Sequence, residues 1–219
     1  MNTIKNEIIP MFSVPLGVSY ISENTNLNKK LAELFMSKEA SSETDQHGFV
    51  KKNRQVFESS FDLFNWKNDC VQELQKFCWG QLYQLVGTLN QYDVDTLKKL
   101  HIACESWYHI TRKGGYFGIH NHPMASWSGV YCVSAGDKVE GDPDSGGLNL
   151  ISPQISTTSF IDKSCSRLGG QFSRGNKIIH LQEGQLVLFP SWLLHEVKPY
   201  FGESERITVA FNAWFKYSG

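Results

Sequence analysis

Three histidines and one arginine carry the clearest chemical signal in this 219-residue sequence. His120 and His122 are two positions apart, a spacing at which a β-strand directs both side chains to one face. His195 follows roughly 70 residues later, and Arg206 follows His195 by eleven positions. Three imidazoles can bind one metal ion, and a guanidinium nearby can bind an acidic ligand. The pattern is typical of a mononuclear metal site in an oxygenase, with a histidine where a carboxylate ligand is usual.

Each of these residues also has an ordinary structural interpretation. An isolated His-x-His pair is common at the surface end of a strand, and Pro123 indicates that strand pairing stops directly after it. Taken alone, His195 would more often be a structural histidine whose ring nitrogens are hydrogen-bonded within the fold. Arg206 begins an apolar strand, where its partner is either a bound dicarboxylate or a neighbouring acid. Glu203 and Glu205 are the neighbouring acids in question.

The third metal ligand has a second candidate source. Three acids follow the predicted strand 128–133: Asp137, Asp142 and Asp144. One of these carboxylates would complete a conventional site of two histidines and one carboxylate. Acids in such a loop are usually solvated, so His122 and a loop carboxylate both stay candidates.

Composition favours one ordinary globular domain that does not bind nucleic acid or acidic lipid through its overall charge. The chain has 21 basic and 22 acidic residues and a formal net charge of −1, which argues against general binding to nucleic acid. No stretch approaches the roughly 20 apolar residues of a membrane span, so we expect a cytoplasmic protein. The five cysteines include no CxxC pair, so neither a disulfide framework nor a zinc ribbon is predicted.

The elements that must position the histidines change in character along the chain. The first part predicts an extended edge segment at 8–16 and a helix capped by Asn26. A longer helix is predicted over 65–90, where apolar residues recur at intervals of three and four. The polar segment 37–55 is predicted to be a mobile loop and is a candidate lid.

Beyond residue 100 the sequence consists of short apolar or alternating segments separated by turn-forming residues. The predicted strands are 102–110, 117–122, 128–133, 147–151, 178–181, 185–189, 197–200 and 206–214. Helices followed by many short strands predict a mainly β protein of the α+β class. The expected architecture is a β-sandwich or jelly roll with helices that back one sheet.

Four blocks together resemble the 2-oxoglutarate- and Fe(II)-dependent oxygenase superfamily, and most closely its uncharacterised bacterial and phage branch. The blocks are His120-Asn-His-Pro123, Ser128-Gly-Val-Tyr131, Gly184 to His195 with its Phe-Pro-Ser-Trp segment, and Arg206 to Asn212. The resemblance implies a single domain over 1–219. Its core would be a double-stranded β-helix, the cupin-like jelly roll, over 101–219, with 1–100 as a helical N-terminal elaboration.

The resemblance also implies a role for each site residue. His120 and His195 are the expected iron ligands, and His122 takes the place of the usual carboxylate. Arg206 is expected to bind the distal carboxylate of 2-oxoglutarate. No catalytic side chain beyond the metal ligands is implied. The implied reaction hydroxylates an unidentified substrate with O2 and converts 2-oxoglutarate to succinate and CO2.

Five further residues lie near these blocks in the sequence. Tyr131 and Asn149, on strands predicted to border the site, are expected either to hydrogen-bond 2-oxoglutarate or to pack in the core. The tryptophans Trp107, Trp127 and Trp192 are candidates for the mouth of the site, with core packing favoured for Trp107.

Two other functions fit parts of the same pattern. A three-histidine metal dioxygenase of the cupin type would share the ligands without using 2-oxoglutarate. A non-catalytic jelly roll would bind a small acid or sugar. Arg206 favours the 2-oxoglutarate-dependent oxygenase over the cupin dioxygenase, because the cupin enzyme does not need a cation for a distal carboxylate.

Overall fold

The computed structural model describes residues 7–41, 52–53, 55–154 and 160–218. The helices are α1 (Thr25–Ala40), α2 (Asp69–Asn90) and α3 (Val94–Lys98). The strands are β1 (Gly17–Tyr20), β2 (Val56–Glu58), β3 (Leu100–Thr111), β4 (Phe117–His120), β5 (Trp127–Ser134), β6 (Leu148–Leu150), β7 (Lys177–Ile179), β8 (Gln185–Pro190), β9 (His195–Val197) and β10 (Arg206–Tyr217). No helix in these ranges is long and apolar enough to cross a membrane.

The described strands form two antiparallel sheets. The larger sheet has the order β1-β8-β5-β10-β3-β2, and the smaller has the order β4-β9-β6-β7. From β3 to β10 the chain passes repeatedly between the sheets, so strands adjacent in sequence are seldom neighbours in space. This is the topology of a jelly roll, and it confirms the predicted fold class.

Alternation along β10 divides the larger sheet into two faces. Ile207, Val209 and Phe211 are buried in the core cluster that includes α1 and α2. Arg206 and Thr208 lie on the opposite face, towards the smaller sheet. Burial of each large apolar side chain contributes about 1.5–3 kcal/mol, so the helix-covered face anchors the sheet. The other face is left free to form a site.

A glycine allows two central strands of the larger sheet to pack closely. Gly129 on β5 is the cross-strand partner of Phe211 on β10. A Cβ atom at Gly129 would overlap the Phe211 ring, so that ring lies directly across the glycine. This contact helps to fix the register between β5 and β10, and the register decides which residues of β10 face the smaller sheet.

In the N-terminal part, an edge strand and a helix are present as predicted, but their bounds differ from the predicted ones. The edge strand of the larger sheet is β1, which begins at Gly17 rather than within 8–16. Helix α1 begins at Thr25 and continues to Ala40, so the start of the predicted loop is helical. The loop residues 42–51 and 54 lie outside the described residues. In the larger sheet β1 pairs with β8 and β2 pairs with β3. This part of the chain therefore contributes strands as well as helices.

Candidate metal centre

His120, His122 and His195 meet between the two sheets. The ring centroids of His120 and His195 are 4.2 Å apart, and the His122 ring lies 5.0 and 5.2 Å from them. The potential ligand atoms of all three lie within 4.8 Å of one another. The three side chains are therefore close enough to bind one metal ion.

Backbone carbonyls orient two of the three rings. The Nδ1 atom of His120 is 2.7 Å from the carbonyl oxygen of Gly118, and that of His195 is 2.8 Å from the carbonyl oxygen of Leu193. A carbonyl oxygen only accepts hydrogen bonds, so both Nδ1 atoms carry the proton and both Nε2 atoms keep a lone pair. This second contact is typical of histidines that bind metals.

Burial keeps the imidazoles in the neutral form. Desolvation lowers the pKa of His195 to about 3, and the neighbouring imidazoles add to the effect. The same causes lower the pKa of His122 to about 4, and burial also lowers the pKa of His120. Neutral imidazole is the form that binds metal, so no proton has to leave these rings at neutral pH.

Two loops hold each other at the metal centre. The backbone N–H of His122 donates to the carbonyl of Ser191 at 2.8 Å, and Asn121 Nδ2 donates to the carbonyl of Trp192 at 3.1 Å. Strand β9 begins at His195, two residues earlier than the predicted strand 197–200. This start makes His195 part of β9 and places it opposite His120 on β4.

The loop acids considered as ligands lie elsewhere. Asp137 accepts hydrogen bonds from the backbone N–H groups of Glu203 and Ser204, both at 2.8 Å. Asp142 and Asp144 belong to an exposed turn, in which Asp142 accepts a hydrogen bond from the Asp144 N–H. Within the described residues, the group that includes the three histidines contains no carboxylate. The structure therefore favours His122 over these acids as the third ligand.

Arg206 is buried without an acidic partner among the residues that the structure describes. Its side chain lies in the same cavity as the histidines, and desolvation lowers its pKa. The two acids considered as its partners pair elsewhere, Glu203 with Lys113 and Glu205 with Arg112. An unpaired buried charge costs several kcal/mol, so a bound anion is the partner that this arginine lacks.

A cavity of about 910 Å³ between the sheets contains the three histidines and Arg206. Its floor is the inner face of the larger sheet, where cross-strand partners of β3 and β10 form successive rungs. From the buried end outwards the rungs are Thr111 with Arg206, His109 with Thr208, Trp107 with Ala210, and Glu105 with Asn212. Arg206 thus lies at the buried end, and the exposed Glu105 lies towards the open end.

Among the cavity residues that were not predicted from the sequence, three are polar and lie towards its buried end: Thr208, His109 and Glu58. Thr208 is buried two residues after Arg206 on the same face, and alternation along the predicted strand 206–214 would have found it. His109 and Glu58 form a buried pair, with His109 Nε2 2.9 Å from Glu58 Oε2. Burial raises the pKa of Glu58, but His109 and Lys52 outweigh this and lower it overall. No sequence motif pointed to this pair.

Tyr131 and Asn149 do not face the cavity, which corrects their predicted contact with 2-oxoglutarate. Tyr131 points to the helical side of β5, where its hydroxyl donates to Asn28 Oδ1 at 2.7 Å. The neighbours of Asn149 on β6 pack in the core between the sheets, and Asn149 Nδ2 donates to Glu196 Oε1 at 2.8 Å. A step of one residue along a strand reverses the face, and the sequence did not fix which residues point inwards.

The three tryptophans considered for the mouth have different positions. Trp107 is buried and lines the cavity. Trp127 packs against the helix-covered core, and Trp192 is exposed outside the cavity. Trp214, which the sequence did not single out, lines the cavity beyond Asn212.

Comparison with known proteins places these residues within one matched segment. Residues 105–212 match the family model described as "Putative 2OG-Fe(II) oxygenase". The segment contains the three histidines and Arg206. No curated protein is similar enough to the chain to count as a match.

Several solved structures share the fold at low sequence identity. A prolyl-4-hydroxylase from Pseudomonas putida is 16% identical with a TM-score of 0.57, over 93% of this chain and 94% of that chain. A prolyl hydroxylase from Trichoplax adhaerens, solved with a hypoxia inducible factor peptide, is 12% identical with a TM-score of 0.55, over 91% and 83%. HygX from Streptomyces hygroscopicus, solved with nickel, 2-oxoglutarate and hygromycin B, is 9% identical with a TM-score of 0.54, over 92% and 83%. These likenesses establish a common fold.

Proposed function

We propose that this chain binds Fe(II) through His120, His122 and His195, and that it binds 2-oxoglutarate through Arg206. The chain belongs to the 2OG-Fe(II) oxygenase family through residues 105–212. The protein is an Fe(II)- and 2-oxoglutarate-dependent dioxygenase. One observation carries the assignment of residues. Arg206, buried and without an acidic partner among the described residues, faces the same cavity as three neutral histidines.

The cofactor and cosubstrate supply the oxidising chemistry, and the protein positions them. When bound, they consume O2 so that 2-oxoglutarate is split into succinate and CO2 and one oxygen atom enters a C–H bond of the substrate. Arg206 offers a bidentate pair of N–H donors to the distal carboxylate of 2-oxoglutarate. Thr208, on the same face of β10, is placed to donate a further hydrogen bond to that carboxylate.

Apolar side chains around the histidines exclude water from the reaction. Phe189 packs beside the His195 ring, with the centroids 4.9 Å apart. Leu148 and Val197, cross-strand partners on the smaller sheet, line the opposite wall of the cavity. A dry site strengthens every electrostatic contact within it, including that between Arg206 and a bound carboxylate.

A set of three neutral ligands gives the proposed centre one negative charge fewer than a site of two histidines and one carboxylate. We expect it to bind Fe(II) more weakly than the carboxylate version would. The same imidazoles match the three-histidine cupin dioxygenase considered from the sequence. The unpaired Arg206 favours the enzyme that uses 2-oxoglutarate.

The proposed oxygenase domain extends over the whole chain, 1–219. In support, β1 and β2 extend the larger sheet, and α1 and α2 cover its outer face. The cytoplasmic location and the lack of general nucleic-acid binding stay predictions from the sequence.

Anaerobic addition of Fe(II) and then 2-oxoglutarate to the purified protein tests the proposed function. We expect a visible charge-transfer band when 2-oxoglutarate chelates the bound iron. Arg206→Met should lose the band at moderate 2-oxoglutarate concentrations. Lys198→Met, which removes a cation that pairs with Glu196, should keep it. Iron binding without a band would instead support the cupin dioxygenase, and failure to bind iron would support the non-catalytic jelly roll.

A further inference from the structure

The open end of the cavity carries a charge opposite to that of its buried end. Apart from histidines, the charged residues that line the cavity are Arg206, Glu58 and Glu105. Glu58 is paired with His109 and Lys52. Glu105 has neither an ion pair nor a side-chain hydrogen bond within the part of the chain that the structure describes. Its carboxylate is therefore available to a ligand that enters the cavity.

The position of Glu105 relative to the metal centre suits a group on the substrate. Glu105 is the cross-strand partner of Asn212, six residues and about 20 Å along β10 from Arg206. The next rung inwards contains Trp107, whose ring centroid is 6.1 Å from that of His122. A ligand that is held by Glu105 and reaches inwards past Trp107 would therefore meet the histidines on the side away from Arg206.

Aromatic side chains surround this end of the cavity. Phe61 packs edge-on against Trp107, with the ring centroids 4.9 Å apart. Trp214 lies two residues beyond Asn212 on the same face of β10 and lines the cavity together with Phe61 and Trp107. Aromatic faces attract organic cations, and Trp does so most strongly. One carboxylate among aromatic rings suits an organic ammonium group better than a metal ion, which needs several oxygen ligands.

Asn212 offers a second polar contact beside Glu105. Its Oδ1 atom accepts a hydrogen bond from Ser128 Oγ at 2.8 Å, and Ser128 Oγ also lies 2.8 Å from Ser191 Oγ. This network orients the amide, because a hydroxyl donates to the oxygen rather than to the nitrogen. The Nδ2 group of Asn212 then remains free among the described residues to donate to an acceptor on the ligand.

We infer that the substrate presents a protonated amine to Glu105, within the aromatic wall of Trp107, Phe61 and Trp214, and a hydrogen-bond acceptor to Asn212. The inference rests on the proposed function, because it assigns this end of the cavity to the substrate of that oxygenase. The amine belongs either to a free small molecule or to a lysine side chain of a peptide.

A binding titration with two matched probes tests the inference. Metal-free protein is titrated by ligand-observed NMR with 2-phenylethylammonium and with 2-phenylethanol, its neutral near-isostere. We expect the ammonium to bind about tenfold more tightly than the alcohol. Glu105→Gln should abolish this preference, and Glu105→Asp should keep part of it. Glu140→Gln, at an exposed acid outside the cavity, should keep all of it.

The controls separate the inference from the proposed function. Glu105 is exposed, so neither substitution should unfold the protein, and a thermal melt checks this. Equal affinity of the wild-type protein for the two probes, or a preference that survives Glu105→Gln, would overturn the inference. The titration needs neither iron nor 2-oxoglutarate, so its result does not depend on the charge-transfer band that tests the proposed function. A capped Gly-Lys-Gly peptide serves as a third probe. If it binds more tightly than 2-phenylethylammonium, the amine belongs to a lysine side chain of a peptide. If it binds more weakly, the amine belongs to a free small molecule.

Discussion

His120 and His195 are cross-strand partners on β4 and β9, and each holds its ring in the same way. In both, the Nδ1 atom is hydrogen-bonded to the carbonyl two residues earlier, at Gly118 and at Leu193. The shared arrangement leaves the Nε2 atoms of both rings free to bind a metal. The backbone of β4 and of the segment just before β9 therefore sets the position of these two ligands.

Replacement of His122 tests the third ligand. We expect His122→Ala to weaken Fe(II) binding by about 100-fold or more, because two imidazoles alone hold the ion poorly. His122→Asp should bind Fe(II) more tightly than the wild-type protein, since it adds a negative charge. Anaerobic equilibrium titrations measure both, with the exposed His101→Ala as the control. Unchanged affinity in His122→Ala would show that His122 is not a ligand.

Replacement of Arg206 should separate binding from stability. We expect Arg206→Met to lose 2-oxoglutarate binding, while the ligand-free protein becomes as stable as the wild-type or about 1–4 kcal/mol more stable. The reason is that the variant removes a buried charge that has no acidic partner among the described residues. Urea unfolding of the metal-free proteins measures this, with Lys198→Met as the matched control. A loss of 3–5 kcal/mol would instead indicate that Arg206 belongs to a structural ion pair.

Tyr131 and Thr208 should respond in opposite ways to loss of a hydroxyl. Tyr131→Phe is expected to cost about 1 kcal/mol of unfolding free energy, because Asn28 loses its hydrogen bond, and to leave 2-oxoglutarate binding unchanged. Thr208→Val is expected to weaken 2-oxoglutarate binding at little cost in stability. Denaturant unfolding and the chelate band measure the two effects. A weaker band in Tyr131→Phe would restore the role predicted for Tyr131 from the sequence.

The stability of the metal-free protein should decrease as the pH falls. Burial lowers the pKa of His122 to about 4, whereas that of an exposed histidine is about 6.5. Below pH 6.5 the unfolded chain therefore takes up protons that the folded chain does not, which favours unfolding. His122 alone should account for roughly 1–2 kcal/mol between pH 7 and pH 5.

Chemical unfolding at these two pH values checks that dependence. His122→Gln should show a smaller loss than the wild-type protein. Equal losses in the two proteins would show that His122 is not kept neutral by burial.

The strands and the shared face of His120 and His122 could be predicted because spacing along one strand is a local property. The meeting of these two residues with His195, about 70 residues later, was predicted from the resemblance of the four blocks to a known superfamily. The face on which Tyr131 and Asn149 lie depends on the register between strands, which the packing of Phe211 across Gly129 helps to fix. Glu58 was missed because it pairs with His109 through β2 and β3, about 50 residues apart in the chain. Glu105 was visible in the sequence, but its lack of a partner among the described residues emerges only from the folded chain.

An anaerobic crystal structure with Fe(II) and 2-oxoglutarate tests the central claim most directly. The proposed function predicts iron bound by the Nε2 atoms of His120 and His195 and by a ring nitrogen of His122, each at about 2.1 Å. It also predicts the distal carboxylate of 2-oxoglutarate within hydrogen-bond distance of the Arg206 guanidinium. Iron at another group of residues, or a 2-oxoglutarate carboxylate away from Arg206, would contradict it.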